Sequence, residues 1–226
     1  MKTFVFDLYN TLIDIRTDEH REQSWAPIVD FFAERGIKTD WQTLCALYDE
    51  CWKKHLDELY ESSEYAYPEG DILCVYKGIA KSLGGELDDE TATECAVKAR
   101  FASIVHLRLF DGIKELFEKL KTRGAKLYLL SNAQASFTYK EIEECGLSGA
   151  FDGFLLSSEC GCRKPDPKYF GMLFDKYGLD KRDAVMVGDD TVSDGMGAAD
   201  FGIMYVKADG GAAAHAAELI ALADRK

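Results

Sequence analysis

The chain has 226 residues, 47% of them hydrophobic, enough for one sizeable core and a smaller second unit. Lys and Arg total 27 against 40 Asp and Glu, and the net charge of −13 argues against nucleic acid or an anionic membrane as an obligate partner. Asp7 breaks the only N-terminal apolar run, and no other uncharged run approaches the ~20 residues of a membrane span, so no membrane association and a cytoplasmic location are expected. The seven cysteines are odd in number and scattered through apolar or helical patterns, which suits reduced thiols. Cys160 and Cys162 have no second pair with which to complete a zinc site.

The chain opens on an apolar run, "TFVFD", that reads as a strand ending at Asp7. From Ile15 to about Ser103 the pattern becomes one amphipathic helix after another, in "DEHREQSWAPIVDFFAERG", "DWQTLCALYDECWKKHLDELYESS" and "GDILCVYKGIAKSLG". This stretch carries all three tryptophans, Trp25, Trp41 and Trp52, expected to pack helix against helix. Beyond it, strand-like runs at "KLYLLSN", "DGFLLSS", "DAVMVGDD" and "GIMYVK" alternate with helical patterns such as "DGIKELFEKLKTRG" and "PKYFGMLFDKYG". An alanine-rich "GGAAAHAAELIALAD" reads as a last helix behind a glycine turn. The runs are continuous rather than alternating, as in strands buried on both faces. The expected fold is therefore α/β, a doubly wound parallel sheet, with a helical unit inserted after the first strand.

In such a sheet all strand carboxyl ends point to one edge, and ligands bind in the crevice outside it. The residues just after the runs are Asp7, Ser131 with Asn132, Ser157 with Ser158, and Asp189 with Asp190; Asp194 follows shortly. Polar residues often follow single strands, but four strands in succession with three aspartates point to a site.

With these residues in view, the sequence closely resembles the haloacid dehalogenase superfamily of hydrolases. Four signatures appear in order: "DLYNT" with Asp7 and Thr11, "LLSN" with Ser131 and Asn132, "RKPDPKYF" with Lys164, and "VGDDTVSD" with Asp189 and Asp194. The resemblance covers the first fifteen residues and essentially everything after about residue 104; the helices between match in position and character the cap that this family inserts after its first strand. It implies a Rossmann-like core made of residues 1–15 and 104–226, with a cap at 16–103. It also implies that Asp7 is the nucleophile and that Lys164 is a fixed charge beside it. Thr11, Ser131 and Asn132, with Tyr9, would contact substrate. Asp7, the backbone carbonyl of Tyr9 and Asp189 would hold Mg²⁺, with Asp194 behind them.

The chemistry suits these residue types. A carboxylate attacks phosphorus or carbon to form a covalent intermediate, splitting one hard step into two. Attack on a phosphoryl group brings anion to anion, which calls for a hard cation with oxygen ligands. One position departs from the family's phosphatases, which place a second aspartate two residues after the nucleophile as acid and base. Here it is Tyr9, as in the family's 2-haloacid dehalogenases, whose halide leaves as a stable anion without a proton. Those enzymes need no metal and carry a Ser/Asn-rich fourth signature, whereas this chain has Gly188, Asp189, Asp190 and Asp194. Crowded carboxylates without a cation would raise one another's pKa and protonate the nucleophile. The leading expectation is a Mg²⁺-dependent phosphatase acting on a small phosphorylated metabolite. The alternatives are a 2-haloacid dehalogenase, with Arg16, Arg21 or Arg100 to clamp a carboxylate, and a weakly active member that binds a phospholigand.

Overall fold

The computed structural model describes residues 2–225. Strand β1 (Thr3–Phe6) is buried along its whole length and lies at the centre of a five-stranded sheet. After it come a short strand β2 (Ile13–Thr17) and four helices, α1 (Glu22–Ala33), α2 (Trp41–Ser62), α3 (Ile72–Ser82) and α4 (Asp89–Ser103). The chain then alternates: β3 (Ile104–Leu109), α5 (Ile113–Lys121), β4 (Lys126–Ser131), α6 (Ala135–Glu144), β5 (Gly153–Leu156), α7 (Pro167–Tyr177), β6 (Ala184–Gly188), α8 (Gly197–Phe201), β7 (Met204–Lys207) and α9 (Ala216–Ala223).

The sheet order is β5-β4-β1-β6-β7, and every pairing is parallel. β1 therefore sits where the order reverses, between β4 and β6, the place where doubly wound sheets open a crevice at their carboxyl edge. Two apolar clusters cover the sheet. Phe4, Phe6, Leu127, Leu129 and Val187 face α5 and α9, and Val5, Leu130 and Met186 face Tyr169, Phe170 and Leu173 of α7. Each fully buried side chain of this size contributes roughly 1.5–3 kcal/mol, so the sheet is the rigid part of the molecule.

Helices α1 to α4 have an apolar centre of their own, with Trp25, Phe31, Phe32, Leu44, Val75 and Ile79. Their entry and exit are tied together by Arg21, whose Nη2 donates to the carbonyls of Ala102, Ser103 and Ile104. Its Nε donates to Ser24 Oγ at 3.1 Å, so the guanidinium is engaged by this junction.

A two-stranded antiparallel ribbon of β2 and β3 joins the helices to the sheet. The sequence pattern predicts no strand at either position. Both strands are half exposed, and Asp14, Arg16, His106 and Arg108 interrupt the apolar pattern that marks the other strands. Asp14 accepts from His106 Nε2 at 2.9 Å and from Arg108 Nε at 2.7 Å, and these cross-strand bonds hold the ribbon where little apolar burial does. The five runs read from sequence as buried strands all lie in the parallel sheet. Among the described residues no helix is long and apolar enough to cross a membrane.

Candidate active site

At the carboxyl end of β1, the Asp7 amide donates to Val187 O of β6 at 2.9 Å, which fixes the backbone as the strand ends. The Asp7 carboxylate accepts from Ser131 Oγ at 3.1 Å and from Lys164 Nζ at 2.6 Å, both through Oδ1. Asn10 follows with φ +58°, a left-handed conformation that asparagine tolerates, and the tight turn brings Thr11 back under the strand ends. Thr11 Oγ1 accepts from the Asp189 amide at 3.1 Å and donates to the Asp189 carboxylate at 3.3 Å. Thr11 thus orients Asp189.

Lys164 is 2% exposed and lies just before α7, whose start is set by an N-cap at Asp166 and a proline in the first turn. Its ammonium bridges Asp7 and Asp194, 2.6 Å from each. Burial works against that charge, but the carboxylates of Asp194 and Asp7 outweigh it and hold the lysine above its ordinary pKa. Asn132 lines the cavity and also contacts Lys164. Its side-chain oxygen accepts from the Lys164 amide at 2.8 Å and its Nδ2 donates to the Lys164 carbonyl at 3.0 Å. The two residues are locked together, so Asn132 sets where Lys164 points.

The last carboxylate arrives by a π-helical turn, wider than an α-helical one. Asp190 accepts from the amides of Val192 and Ser193 and opens a π-helical turn, Thr191–Met196, while its own amide donates to Asp194 Oδ2 at 3.1 Å. A Cβ on Gly188 would stand 2.0 Å from that same oxygen, so only glycine lets Asp194 come this close to the strand end. Burial raises the Asp194 carboxyl, with Lys164 opposing and Asp7 adding to the rise. Asp189 is raised by burial and by Asp194.

One ligand atom from each of Asp7, Asp189 and Asp194 lies within 4.8 Å of the others. Lys164 pairs with Asp7 and Asp194 but not with Asp189, so the three carboxylates carry about two negative charges beyond that one cation when all are ionised. All donors are oxygen, and the second oxygens of Asp7 and Asp189 have no partner among the described residues. That donor set fits a hard divalent cation such as Mg²⁺. His20, Cys45 and Asp49, on and before helix α2, form the other metal-capable group among the described residues, with His20 and Asp49 exposed and Cys45 half-buried.

Tyr9 does not share in the carboxylate cluster's hydrogen bonds. Its hydroxyl is bonded to Thr138 Oγ1 at 2.9 Å and donates to Glu141 Oε2, both on α6. Glu141 is fully buried, and its other oxygen accepts from Arg100 Nε of α4 at 2.6 Å. Burial first, then the charge of Glu141, drives the Tyr9 phenol far above its ordinary pKa. Arg100 also lies over the Phe137 ring at 4.9 Å and the Tyr9 ring at 5.6 Å.

Above the strand ends, between the sheet and the helices, is a cavity of about 380 Å³. Tyr9, Asn132 and Ala133 line its floor, and Trp25 and Trp52 belong to its walls as well as to helix packing. Sequence reasoning missed Glu141, Gln134, Glu69 and Tyr169. Gln134 joins the floor to the roof: its Nε2 donates to Gly70 O at 2.7 Å and Glu69 Oε1 at 3.1 Å, and its oxygen accepts from the Ile72 amide. Tyr169 bonds the carbonyls of Ser131 and Leu155 and so pins two strand ends. Ser157 and Ser158, expected at this edge, provide structure rather than chemistry, their hydroxyls accepting from the amides of Ala133 and Ala135.

A doubly wound sheet with this cluster at its switch point defines an α/β enzyme of the hydrolase kind. Residues 1–202 match the model of the haloacid dehalogenase-like hydrolases, and the chain belongs to that family. It is similar to human N-acylneuraminate-9-phosphatase, 27% identical over 204 residues that cover 90% of this chain and 80% of the relative. It is as similar to an (S)-2-haloacid dehalogenase of a Pseudomonas species, 27% identical over 89% of this chain and 80% of that one. Among solved structures, the fold matches a 2-haloacid dehalogenase from Pseudomonas syringae with a TM-score of 0.59, 20% identity, and coverage of 92% of this chain and 86% of the other.

Proposed function

We propose that the protein is a Mg²⁺-dependent phosphohydrolase acting on a small phosphorylated metabolite, with residues 1–15 and 104–226 as catalytic core and 16–103 as cap. The observation that carries this reading is the meeting of Asp7, Asp189 and Asp194 at one sheet edge, with buried Lys164 paired to Asp7 and Asp194. A bound Mg²⁺ supplies the positive charge that lets a phosphoryl anion approach an aspartate. Asp7, the carbonyl of Tyr9 and Asp189 would hold it, with Asp194 behind. Asp7 is the nucleophile, oriented by Ser131 and Lys164; one carboxylate oxygen forms the bond to phosphorus as the ester P–O bond breaks and the alcohol oxygen leaves, giving an aspartyl phosphate, while the other would face the cation. Lys164 and the Ser131 hydroxyl then face the developing negative charge. Water attack on phosphorus returns the carboxylate.

Tyr9 supplies neither proton nor base, because its hydroxyl is spent on Glu141 and its pKa lies far above neutrality. Losing such a group costs ~10²–10⁴ in rate, most where the leaving alkoxide needs a proton. The same tyrosine favours a second reading, a haloacid dehalogenase. Against it stands the arginine: of the three candidates only Arg100 lines the cavity, and its Nε is committed to the buried Glu141, while Arg21 is engaged by the junction of the helices' entry and exit. The test is release of phosphate from p-nitrophenyl phosphate and of halide from 2-chloropropionate, each with Mg²⁺ and with chelator. Phosphate release that needs the metal supports the proposal; halide release that persists in chelator replaces it with the second reading, and no release leaves a binding protein.

A further inference from the structure

The cavity meets the sheet edge at Tyr9, Asn132 and Ala133, next in the chain to the carboxylate cluster, and it has a charge pattern of its own. The charged side chains that line it are Glu19, Glu69 and Arg100. Arg100 is paired with Glu141, whose carboxylate is fully buried. Neither Glu19 nor Glu69 makes an ion pair among the described residues. Glu69 accepts from Gln134 Nε2 at 3.1 Å and from Ser157 Oγ at 2.6 Å, both neutral donors; burial, its largest influence, keeps the carboxyl above its ordinary pKa. Neither carboxyl is in direct contact with a cation; Arg163 acts on Glu69 and Arg100 on Glu19 only from beyond ion-pair distance.

Glu19 is bonded to one tryptophan, and the residue after Glu69 packs on another. The carbonyl of Glu19 accepts from Trp25 Nε1 at 2.6 Å. Gly70, next to Glu69, packs so closely on Trp52 that a Cβ there would lie 3.2 Å from its ring. Trp25 and Tyr48 meet edge to face at 5.4 Å, and Tyr48 and Tyr76 stand 6.1 Å apart. Tyr76 is 3% exposed, lines the cavity, and its hydroxyl has no hydrogen-bond partner among the described residues. Aromatic faces carry a negative quadrupole, and a ring of them with carboxylates is the environment that holds alkylammonium groups. A carboxylate or second phosphate on the substrate would meet the opposite.

We infer that the aromatic and acidic wall formed by Trp25, Tyr48, Trp52, Tyr76, Glu19 and Glu69 is a subsite for a cationic ammonium head group, so that the substrate is the phosphate monoester of a small amino alcohol. The ester part of this assignment rests on the phosphohydrolase reading; the subsite itself does not. The cavity, about 380 Å³, is of the size that small ligands fill.

The test pairs binding with turnover. Choline, followed by quenching of tryptophan fluorescence, is expected to bind about threefold to thirtyfold more tightly than its neutral isostere 3,3-dimethylbutanol, the span of a cation on aromatic faces. In turnover, choline phosphate is expected to show a higher kcat/KM than 3,3-dimethylbutyl phosphate, and Glu69→Gln and Glu19→Gln are each expected to lower that ratio. Equal responses to choline and its isostere, with phosphate released equally from both esters, overturn the subsite and leave the phosphohydrolase reading standing. Selective choline binding with no phosphate released from any ester, p-nitrophenyl phosphate included, retains the subsite and overturns the reading. A ratio unmoved in both variants refutes the role of the carboxylates.

Discussion

Replacing Arg100 by methionine tests whether Tyr9 was recruited to a buried charge network. Glu141 is 0% exposed and its two oxygens are held by Arg100 and Tyr9. Methionine keeps most of the arginine's apolar contact with Phe137 but strands an anion in the interior. Breaking a buried pair from one side costs about 3–5 kcal/mol. For a chain of this length each kcal/mol moves the melting temperature by roughly 2–4 °C, so a fall of about 6–20 °C is expected. Tyr9→Phe removes one donor to a charged group and should cost less, about 1.5–3 kcal/mol. The double variant Arg100→Met with Glu141→Leu removes charge from both sides and should recover much of the loss. Urea and thermal unfolding followed by circular dichroism at neutral pH give all four values. An Arg100→Met protein within about 1 kcal/mol of wild type, or a double variant worse than the single, would refute the argument.

Asp7→Asn should abolish turnover while leaving the melting temperature nearly unchanged, since a neutral amide cannot act as nucleophile; steady-state rates near wild type would remove Asp7 from that role. With no group near Tyr9 able to give a proton, rates across a series of phosphate esters should rise steeply as the leaving group becomes more acidic, and a flat series would mean that another residue supplies the proton. Burial holds the Glu69 carboxyl above its ordinary value, so the folded state keeps this proton longer than the unfolded chain does. Stability should then decline as pH rises from the ordinary carboxylate range through that raised pKa, and Glu69→Gln should remove this part of the slope. Identical slopes of unfolding free energy against pH for both proteins would contradict it.

The parallel sheet was legible because its strands are buried on both faces and read as unbroken apolar runs, and the edge where the carboxylates meet followed from what stands after each run. The ribbon of β2 and β3 was not, because alternating charge on a half-exposed strand resembles a loop. Thr11 and Asn132 were found as residues but not in their contacts: hydrogen bonds to Asp189 and Lys164 depend on how distant segments meet. Glu141 had a signal, a carboxylate at the buried position of α6 four residues after Phe137, in a helix whose other inward residues are apolar or hydroxyl-bearing. Without Arg100 and Tyr9 beside it, that signal had no meaning. Glu69 sits between Pro68 and Gly70 in a segment with no periodicity, so only the fold reveals that it faces a cavity.

The most direct test of attack by Asp7 on phosphorus is the fate of solvent oxygen. Turnover in ¹⁸O-water should place the label in released phosphate and leave the peptide containing Asp7 unlabelled, because water attacks phosphorus and the carboxylate keeps its own oxygens. If mass spectrometry instead finds ¹⁸O in Asp7 after incubation with a 2-haloacid, water has attacked the carbonyl of an aspartyl ester. The enzyme would then be a carbon-centred hydrolase, and Asp7 would attack carbon rather than phosphorus.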